Sequence, residues 1–403
     1  MADTFTNKTF SNFVTLQRGF DLPKQNREHG TFPVVASTSV QGYHSEYKVR
    51  PPGVVTGRSG SLGSVQFLEI PFWPLNTTLW VKNFKGNYPK FVFYFLQTLG
   101  LERYNSGAGV PTLNRNHLDG VDVAIPPLPT QRKIAAILSA YDDLIENNLR
   151  RIKILEEMAQ NLYREWFVKF RFPGHQQARF TDSHLGRIPE GWEVSILGEH
   201  LTALESGKRP KGGVKDLEFG IPSVGAENVF GIGRHKYQSE KYVSREFFDG
   251  MRNGVVKDGD VALYKDGAYI GRTTYFRDSF PHAQFCVNEH VFLLRTTGKR
   301  LTQNILYLWL QEPDTVSGIR ATNANAAQPG INQQGVNGLS LIVPPVDIAG
   351  QFDQLAEPSL ALIVSLAKRN EALRRTRDLL LPRLISGEVD VSDLDITVPE
   401  EAV

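Results

Sequence analysis

A chain of 403 residues, 41% apolar and 22% charged, has the balance of an ordinary globular protein and room for two or three domains with cores of their own. Its single cysteine, Cys286, excludes a disulfide framework and a cysteine-based zinc site, and no run reaches the roughly 18–20 apolar residues of a membrane span. The formal net charge of +2 conceals an acidic stretch, residues 387–403, which holds Glu388, Asp390, Asp393, Asp395, Glu400 and Glu401 and no Lys or Arg. The rest is mildly basic, which is compatible with nucleic acid without demanding it.

In chain order, the opening residues lack the basic flank and apolar run of a signal peptide, and the lone cysteine fits a reducing, cytoplasmic setting. Residues 1–125 read as a first globular domain. Short apolar runs between turn signals predict strands at Phe32–Ala36, Gly53–Val55, Ser64–Leu68 and Thr78–Val81. A helix is expected at Pro89–Leu101, with Pro89 in its first turn and Gly100 at its end.

At Pro126-Pro127 the pattern changes, and Thr130 is the expected N-cap of a long helix over 130–170. Its seam runs Ile134, Leu138, Tyr141, Ile145, Asn148, Ile152, Leu155, Ala159, Leu162, Trp166, in alternating steps of four and three. Such a rod would be roughly 60 Å long at about 1.5 Å per residue. Pro173-Gly174 is the expected terminator, and Asn148 is the polar exception in the seam.

Residues 174–343 read as a second globular domain, with strands expected at Gly259–Tyr264, Gly271–Phe276 and Glu289–Leu294 and a helix at Gln303–Gln311. A second long helix follows Pro344-Pro345, with Leu366, Leu373 and Leu380 seven apart and a kink expected at Pro358. The acidic tail, 391–403, is expected to be solvated.

The two halves repeat at a constant offset of 218 residues: Pro111, Asn114, Pro126 and Pro127 recur as Pro329, Asn332, Pro344 and Pro345, and Ile145, Leu155 and Leu162 as Ile363, Leu373 and Leu380. This period is far too long for a solenoid. The expected fold is α+β: two globular domains separated by two long helices paired as an antiparallel coiled coil, the whole duplicated about a pseudo-twofold.

Catalytic signatures are hard to find. Gly57–Ser64 lacks the spacing and lysine of a phosphate loop, there is no GxGxxG after a first strand, and no Asn-Pro-Pro-aromatic motif suited to amino-methylation. The nine histidines show no metal-ligand spacing. The polar loops are more telling. Gly57-Arg58-Ser59-Gly60-Ser61-Leu62-Gly63 and Lys265-Asp266-Gly267-Ala268-Tyr269-Ile270-Gly271-Arg272 each put a cation on a flexible turn after a strand. Arg can grip guanine O6 and N7 there. Arg18 and Lys208, Arg209 and Lys211 occupy corresponding early positions of the two domains. Asn114-Arg115-Asn116 and, after Gln328, Asn332-Gln333-Gln334 also pair. Their amides could read adenine or equally cap the following turn. The candidate DNA-binding set is therefore Arg18, Arg58, Ser59, Ser61, Asn114, Arg115, Lys208, Arg209, Lys211, Lys265, Tyr269, Arg272, Asn332 and Gln333, with no catalytic residue and no metal ligand.

Taken in order, Arg18-Gly-Phe-Asp-Leu-Pro23, Gly57–Gly63, Asn148–Ile152 through Trp166-Phe-Val168, and Leu373–Val391 resemble the specificity subunit of Type I restriction–modification systems over nearly the whole chain. Lys169 departs from the acid usual after Trp-Phe-Val. The resemblance implies two target recognition domains, 1–125 and 174–343, and conserved helices at 126–173 and 344–390 acting as a ruler on bipartite double-stranded DNA. It implies two modification subunits using S-adenosylmethionine, restriction subunits using ATP and Mg, no cofactor in this chain and no membrane. The rival reading is a stand-alone nuclease or methyltransferase.

Overall fold

The computed structural model describes residues 5–214, 217–323 and 330–398, so Gln328, Pro329, Glu400 and Glu401 lie outside the described residues. The chain divides into two compact units, residues 1–145 with 373–403, and residues 146–372. No helix among the described residues is long and apolar enough to cross a membrane.

The first unit holds strands β1 (Thr6–Thr9), β2 (Thr15–Arg18), β3 (Phe32–Val35), β4 (Val40–His44), β5 (Gly53–Gly57), β6 (Val65–Leu68), β7 (Trp73–Pro74), β8 (Thr78–Asn83) and β9 (Asp122–Ile125), with helices α1 (Phe10–Phe13) and α2 (Pro89–Thr98). They form a four-stranded sheet β2-β8-β5-β6, a three-stranded sheet β4-β3-β7 and the pair β1-β9. Pro89 starts α2 without losing a helical hydrogen bond. The helix then turns Phe91, Val92, Phe95 and Leu96 inward, and Phe95 meets the edge of Phe13 at 4.8 Å.

From the first unit into the second runs α3 (Leu128–Tyr163). The second unit adds β10 (Phe180–Ser183), β11 (Gly186–Pro189), β12 (Glu193–Ile196), β13 (Leu201–Ser206), β14 (Ile221–Val224), β15 (Tyr242–Val243), β16 (Asp260–Tyr264), β17 (Thr273–Phe276), β18 (Cys286–Val287), β19 (Val291–Thr296) and β20 (Ser340–Val343). Its helices are α4 (Arg245–Asp249), α5 (Gln303–Trp309), α6 (Pro313–Ala321) and α7 (Gln333–Asn337), and α8 (Val346–Ser386) runs from the second unit back into the first. The sheets repeat those of the first unit: β13-β19-β16-β17 matches β2-β8-β5-β6, β15-β14-β18 matches β4-β3-β7, and β12-β20 matches β1-β9. The match extends to direction, since β3–β7 and β14–β18 are both parallel pairs. The duplication read from the sequence is thus a duplication of topology. The hairpin β10–β11 has no counterpart among the described residues of the first unit.

Within each unit the two long helices run antiparallel. In the first, Ile134 and Leu138 share a core with Leu384 and Ile385, and Arg377 binds Asp142 at 2.5 Å. In the second, Ile152 and Ala159 share a core with Leu360, Ile363 and Ala367, and Asn148 donates to Asn370 at 2.8 Å. The seam is buried or half-buried along its length, as the heptad spacing requires.

Each helix pair also shares its core with its β-body. Tyr94 of α2 donates to Asp142 at 2.6 Å, and burial with that carboxylate alongside pushes its hydroxyl far up, so the phenol remains a donor. In the second unit Phe352 packs against Phe167 at 4.8 Å, and Glu357 takes up Arg277 and Asn304.

Three expectations about the helices need correction. First, α3 begins at Leu128, so Thr130 is a buried residue of its first turn and not the cap; Gln131 N–H already bonds Pro127 O at 3.0 Å. Second, α3 is ended by Phe170 rather than by Pro173. After a π turn at Arg164–Val168, Phe170 takes φ +54°, a conformation that a bulky residue holds only when packed, here against Phe180 and Trp192. Third, Pro358 does not interrupt α8, which continues to Ser386. Buried Phe352, Ala356, Leu360 and Ile363 on either side of it hold the helix against the core despite the lost hydrogen bond.

The Asn148–Asn370 pair is 5% and 1% exposed in an otherwise apolar seam. Asn370→Leu alone should cost about 1–3 kcal/mol, because it strands Asn148 without a partner. Asn148→Leu with Asn370→Leu should recover most of that stability while loosening the register of the seam. Urea melts of the single and double variants check both; an additive double variant would remove the coupling.

Candidate nucleic-acid interface

The loop after β5 is built by backbone. Arg58 N–H bonds Thr77 O at 2.8 Å, and its carbonyl accepts Leu113 N–H at 2.8 Å. Ser59 N–H also reaches Thr77 O, at 3.1 Å, and Gly60 N–H reaches Pro111 O at 2.9 Å. Ser37 Oγ donates to Ser59 O and Thr77 O at 3.0 and 2.9 Å. A Cβ on Gly57 would stand 1.9 Å from Ser61 O, so only glycine fits there. The expectation of a flexible turn is corrected: the loop is tied at five points, and Arg58 leaves it with Nη1 on Asn76 O at 3.2 Å.

The same frame recurs in the second unit. Lys265 follows β16, its carbonyl accepts Ile331 N–H at 2.9 Å, and Asp266 bridges Gly330 as Ser59 bridges Thr112. Leu113 and Ile331 are themselves one repeat apart. Arg58 and Lys265 therefore occupy equivalent positions, each held beside the turn that begins at Asn114 or Asn332. Both asparagines cap their turn through Oδ1: Asn114 Oδ1 accepts Asn116 N–H at 3.1 Å, and Asn332 Oδ1 accepts Gly335 N–H at 2.8 Å.

Arg18 ends β2 opposite Leu79, and Arg115 Nη1 donates to Leu16 O at 3.2 Å. Arg18, Arg58, Ser59, Asn114 and Arg115 thus gather at one end of the first sheet, with Ser61 exposed on the loop. In the second unit Lys265 Nζ lies 4.9 Å from the centre of the Phe292 ring, and Arg272 stacks on the exposed Tyr269 at 3.6 Å. Gln333 Nε2 donates to Leu204 O at 2.7 Å. Arg209 pairs with Glu289 at 3.0 Å, so part of its charge is already matched, while Lys208 and Lys211 are exposed beside it.

Sequence reasoning missed two residues that position these cations. A Cβ on Gly19 would meet Pro74 O at 2.5 Å, and one on Gly207 would meet Val287 O at 1.5 Å. Both glycines follow the first strand of their sheet and lie against the short strand of the parallel pair. They are the true structural match, so Arg18 precedes the shared point and Lys208 follows it. The available signal was a glycine directly beside each basic residue.

A family model described as the Type I restriction modification DNA specificity domain matches residues 3–157. The Type I restriction enzyme MjaIX specificity subunit of Methanocaldococcus jannaschii is 25% identical over 348 residues, 83% of this chain and 77% of its own length. The MjaVIII specificity subunit of the same organism is 22% identical over 316 residues, 76% of this chain and 71% of its own. Over residues 3–157 the chain matches a Type I DNA specificity domain, and over most of its length it is similar to Type I specificity subunits. The fold is similar to that in the crystal structure of the Type I restriction–modification system S subunit from M. genitalium, with a TM-score of 0.61 at 15% identity, covering 95% of this chain and 96% of that one. The matched model is thus one of a DNA specificity domain and not of a catalytic one.

Proposed function

We propose that this protein reads a bipartite double-stranded DNA target, one half-site per recognition domain, and directs adenine methylation and restriction carried out by partner subunits. The observation that supports this most is the recurrence of one backbone frame holding Arg58 and Lys265 at equivalent places in two topologically matched bodies. The recognition domains are 1–125 and 174–343; the helices at 126–173 and 344–390 set their spacing, and 391–403 is an acidic tail. Two modification subunits supply S-adenosylmethionine chemistry, and restriction subunits supply ATP- and Mg-dependent translocation and cleavage. The assembly works in the cytoplasm.

The contact residues are Arg18, Arg58, Ser59, Ser61, Asn114 and Arg115 on one half-site and Lys208, Arg209, Lys211, Lys265, Tyr269, Arg272, Asn332 and Gln333 on the other. Arg58→Ala is expected to weaken target binding by about 1–3 kcal/mol and relax one base position if the guanidinium reaches a base edge. Lys265→Ala is expected to weaken binding to all sequences and lower the salt slope by about one if the amine meets phosphate. Binding isotherms across salt, on target and scrambled duplexes, separate the two roles; no change in either quantity would remove these loops from the interface.

The deciding experiment mixes the purified chain with its modification partner, S-adenosylmethionine and DNA. Sequence-directed adenine methylation is expected with the partner and none without it. Turnover by the partner-free chain would instead establish a stand-alone enzyme.

A further inference from the structure

The segment from Gly225 to Lys241, joining β14 to β15, replaces a connection that in the first unit runs only from Ala36 to Ser39. Its regular structure is limited to two short 3-10 turns, at Ala226–Asn228 and Tyr237–Ser239. Loops of this length in compact domains are uncommon and usually functional. One cluster ties it down. His235 and Glu240 on this segment meet His282, which lies between β17 and β18, and the nearest ligand atoms of all three lie within 4.8 Å of one another. His235 Nε2 stands 2.5 Å from Glu240 Oε1, and His282 Nε2 shares that same oxygen. The two imidazole rings are perpendicular, with centroids 5.5 Å apart. The side chains of His235 and Glu240 are 1% and 7% exposed, and that of His282 is 26% exposed.

We propose that His235, Glu240 and His282 form a zinc site that clips the Gly225–Lys241 segment to the β17–β18 connection. Two imidazole nitrogens and a carboxylate oxygen are a donor set that zinc takes readily, with water completing the tetrahedron. Two nitrogens aimed at one buried oxygen make a crowded hydrogen-bond arrangement but a natural set of converging ligands. Zinc at about 2.0–2.1 Å from each donor would separate them by about 3.3 Å, so the ion needs the ligands to open by less than about 1 Å. His282, the most exposed of the three, is free to supply that movement. Tyr242 already donates to Glu240 Oε2 at 2.9 Å, the outer hydrogen bond that orients a ligating carboxylate. Sequence spacing could not reveal the site, because its ligands come from two separate connections.

Tag-free full-length chain, equilibrated with Zn2+ and desalted into metal-free buffer, should retain one zinc per chain by elemental analysis. His282→Gln and Glu240→Gln should retain almost none, and Tyr242→Phe should bind zinc roughly 10–100-fold more weakly. Cobalt substitution of the unaltered chain should give visible tetrahedral bands, a readout that does not depend on how any variant folds. An unaltered chain that retains no zinc, shows no cobalt bands and melts at the same temperature with or without micromolar zinc would overturn the site and leave a hydrogen-bonded cluster. Zinc retained equally by His282→Gln would overturn it too, by placing the metal elsewhere.

Discussion

Arg295→Ala should destabilise the second unit by about 3–5 kcal/mol, the cost of leaving a buried charge without its partner. Arg295 on β19 grips Asp260 on β16 with two hydrogen bonds of 2.6 and 2.7 Å and reaches Glu205 on β13 at 2.9 Å, so one guanidinium joins three neighbouring strands. Asp260 is 1% exposed. Burial raises its carboxyl above the ordinary range even with the guanidinium beside it. Without Arg295 the carboxyl rises further, which fixes the sign of the pH dependence. A raised folded pKa means that the folded state holds the proton more tightly than the unfolded chain. The penalty is therefore small below the unfolded value of about 3.9, grows as pH climbs from there, and is complete once pH has passed the raised folded value. Urea unfolding at pH 8 and pH 5 should show the larger deficit at pH 8. A loss under about 1 kcal/mol at pH 8 would mean that the pair is not the tie between these strands.

Adding seven residues to α3 and seven to α8, in register on either side of the Asn148–Asn370 pair, should lengthen the preferred gap between half-sites while leaving the half-site sequences intact. Each insertion adds about 10 Å of helix, or about three base pairs at roughly 3.4 Å per step. Seven keeps the seam facing its partner, whereas four or three would rotate it away. The half-sites should persist because the frames around Arg58 and Lys265 are untouched. Methylation mapping across a host genome reads half-sites and gap together. An active protein that keeps the original gap would mean that the helices do not set the spacing.

The elements with strong local signals were legible from residues alone. The heptad seam gave α3 and α8 to within a few residues, and the turn-bounded β-branched runs gave β3, β5, β6, β8, β16, β17 and β19. What failed were one helix end and one proline inside a helix. Phe170 terminates α3 through contacts with Phe180 and Trp192, which are distant in sequence, and Pro358 is overridden by the core around it. The candidate site was legible as loops carrying cations but not as a frame. The equivalence of Arg58 and Lys265 rests on hydrogen bonds to Leu113 and Ile331, and backbone bonds of that kind leave no mark on residue identity. Gly19 and Gly207 did leave one, since close approach to a carbonyl admits no side chain.

The shared cores of each unit bear on how such proteins can be recombined. Ile134, Leu138, Leu384 and Ile385 belong to the core of the first unit, so a foreign body grafted at Pro126 would meet helix surfaces shaped for another partner. The break that respects packing falls mid-helix, between Ile145 and Glu146 on one strand of the pair and between Ala372 and Leu373 on the other. The exchangeable cassette is thus a recognition body together with its own stub of each helix. Chimaeras cut at those two points should fold and retain full activity more often than chimaeras cut at the prolines.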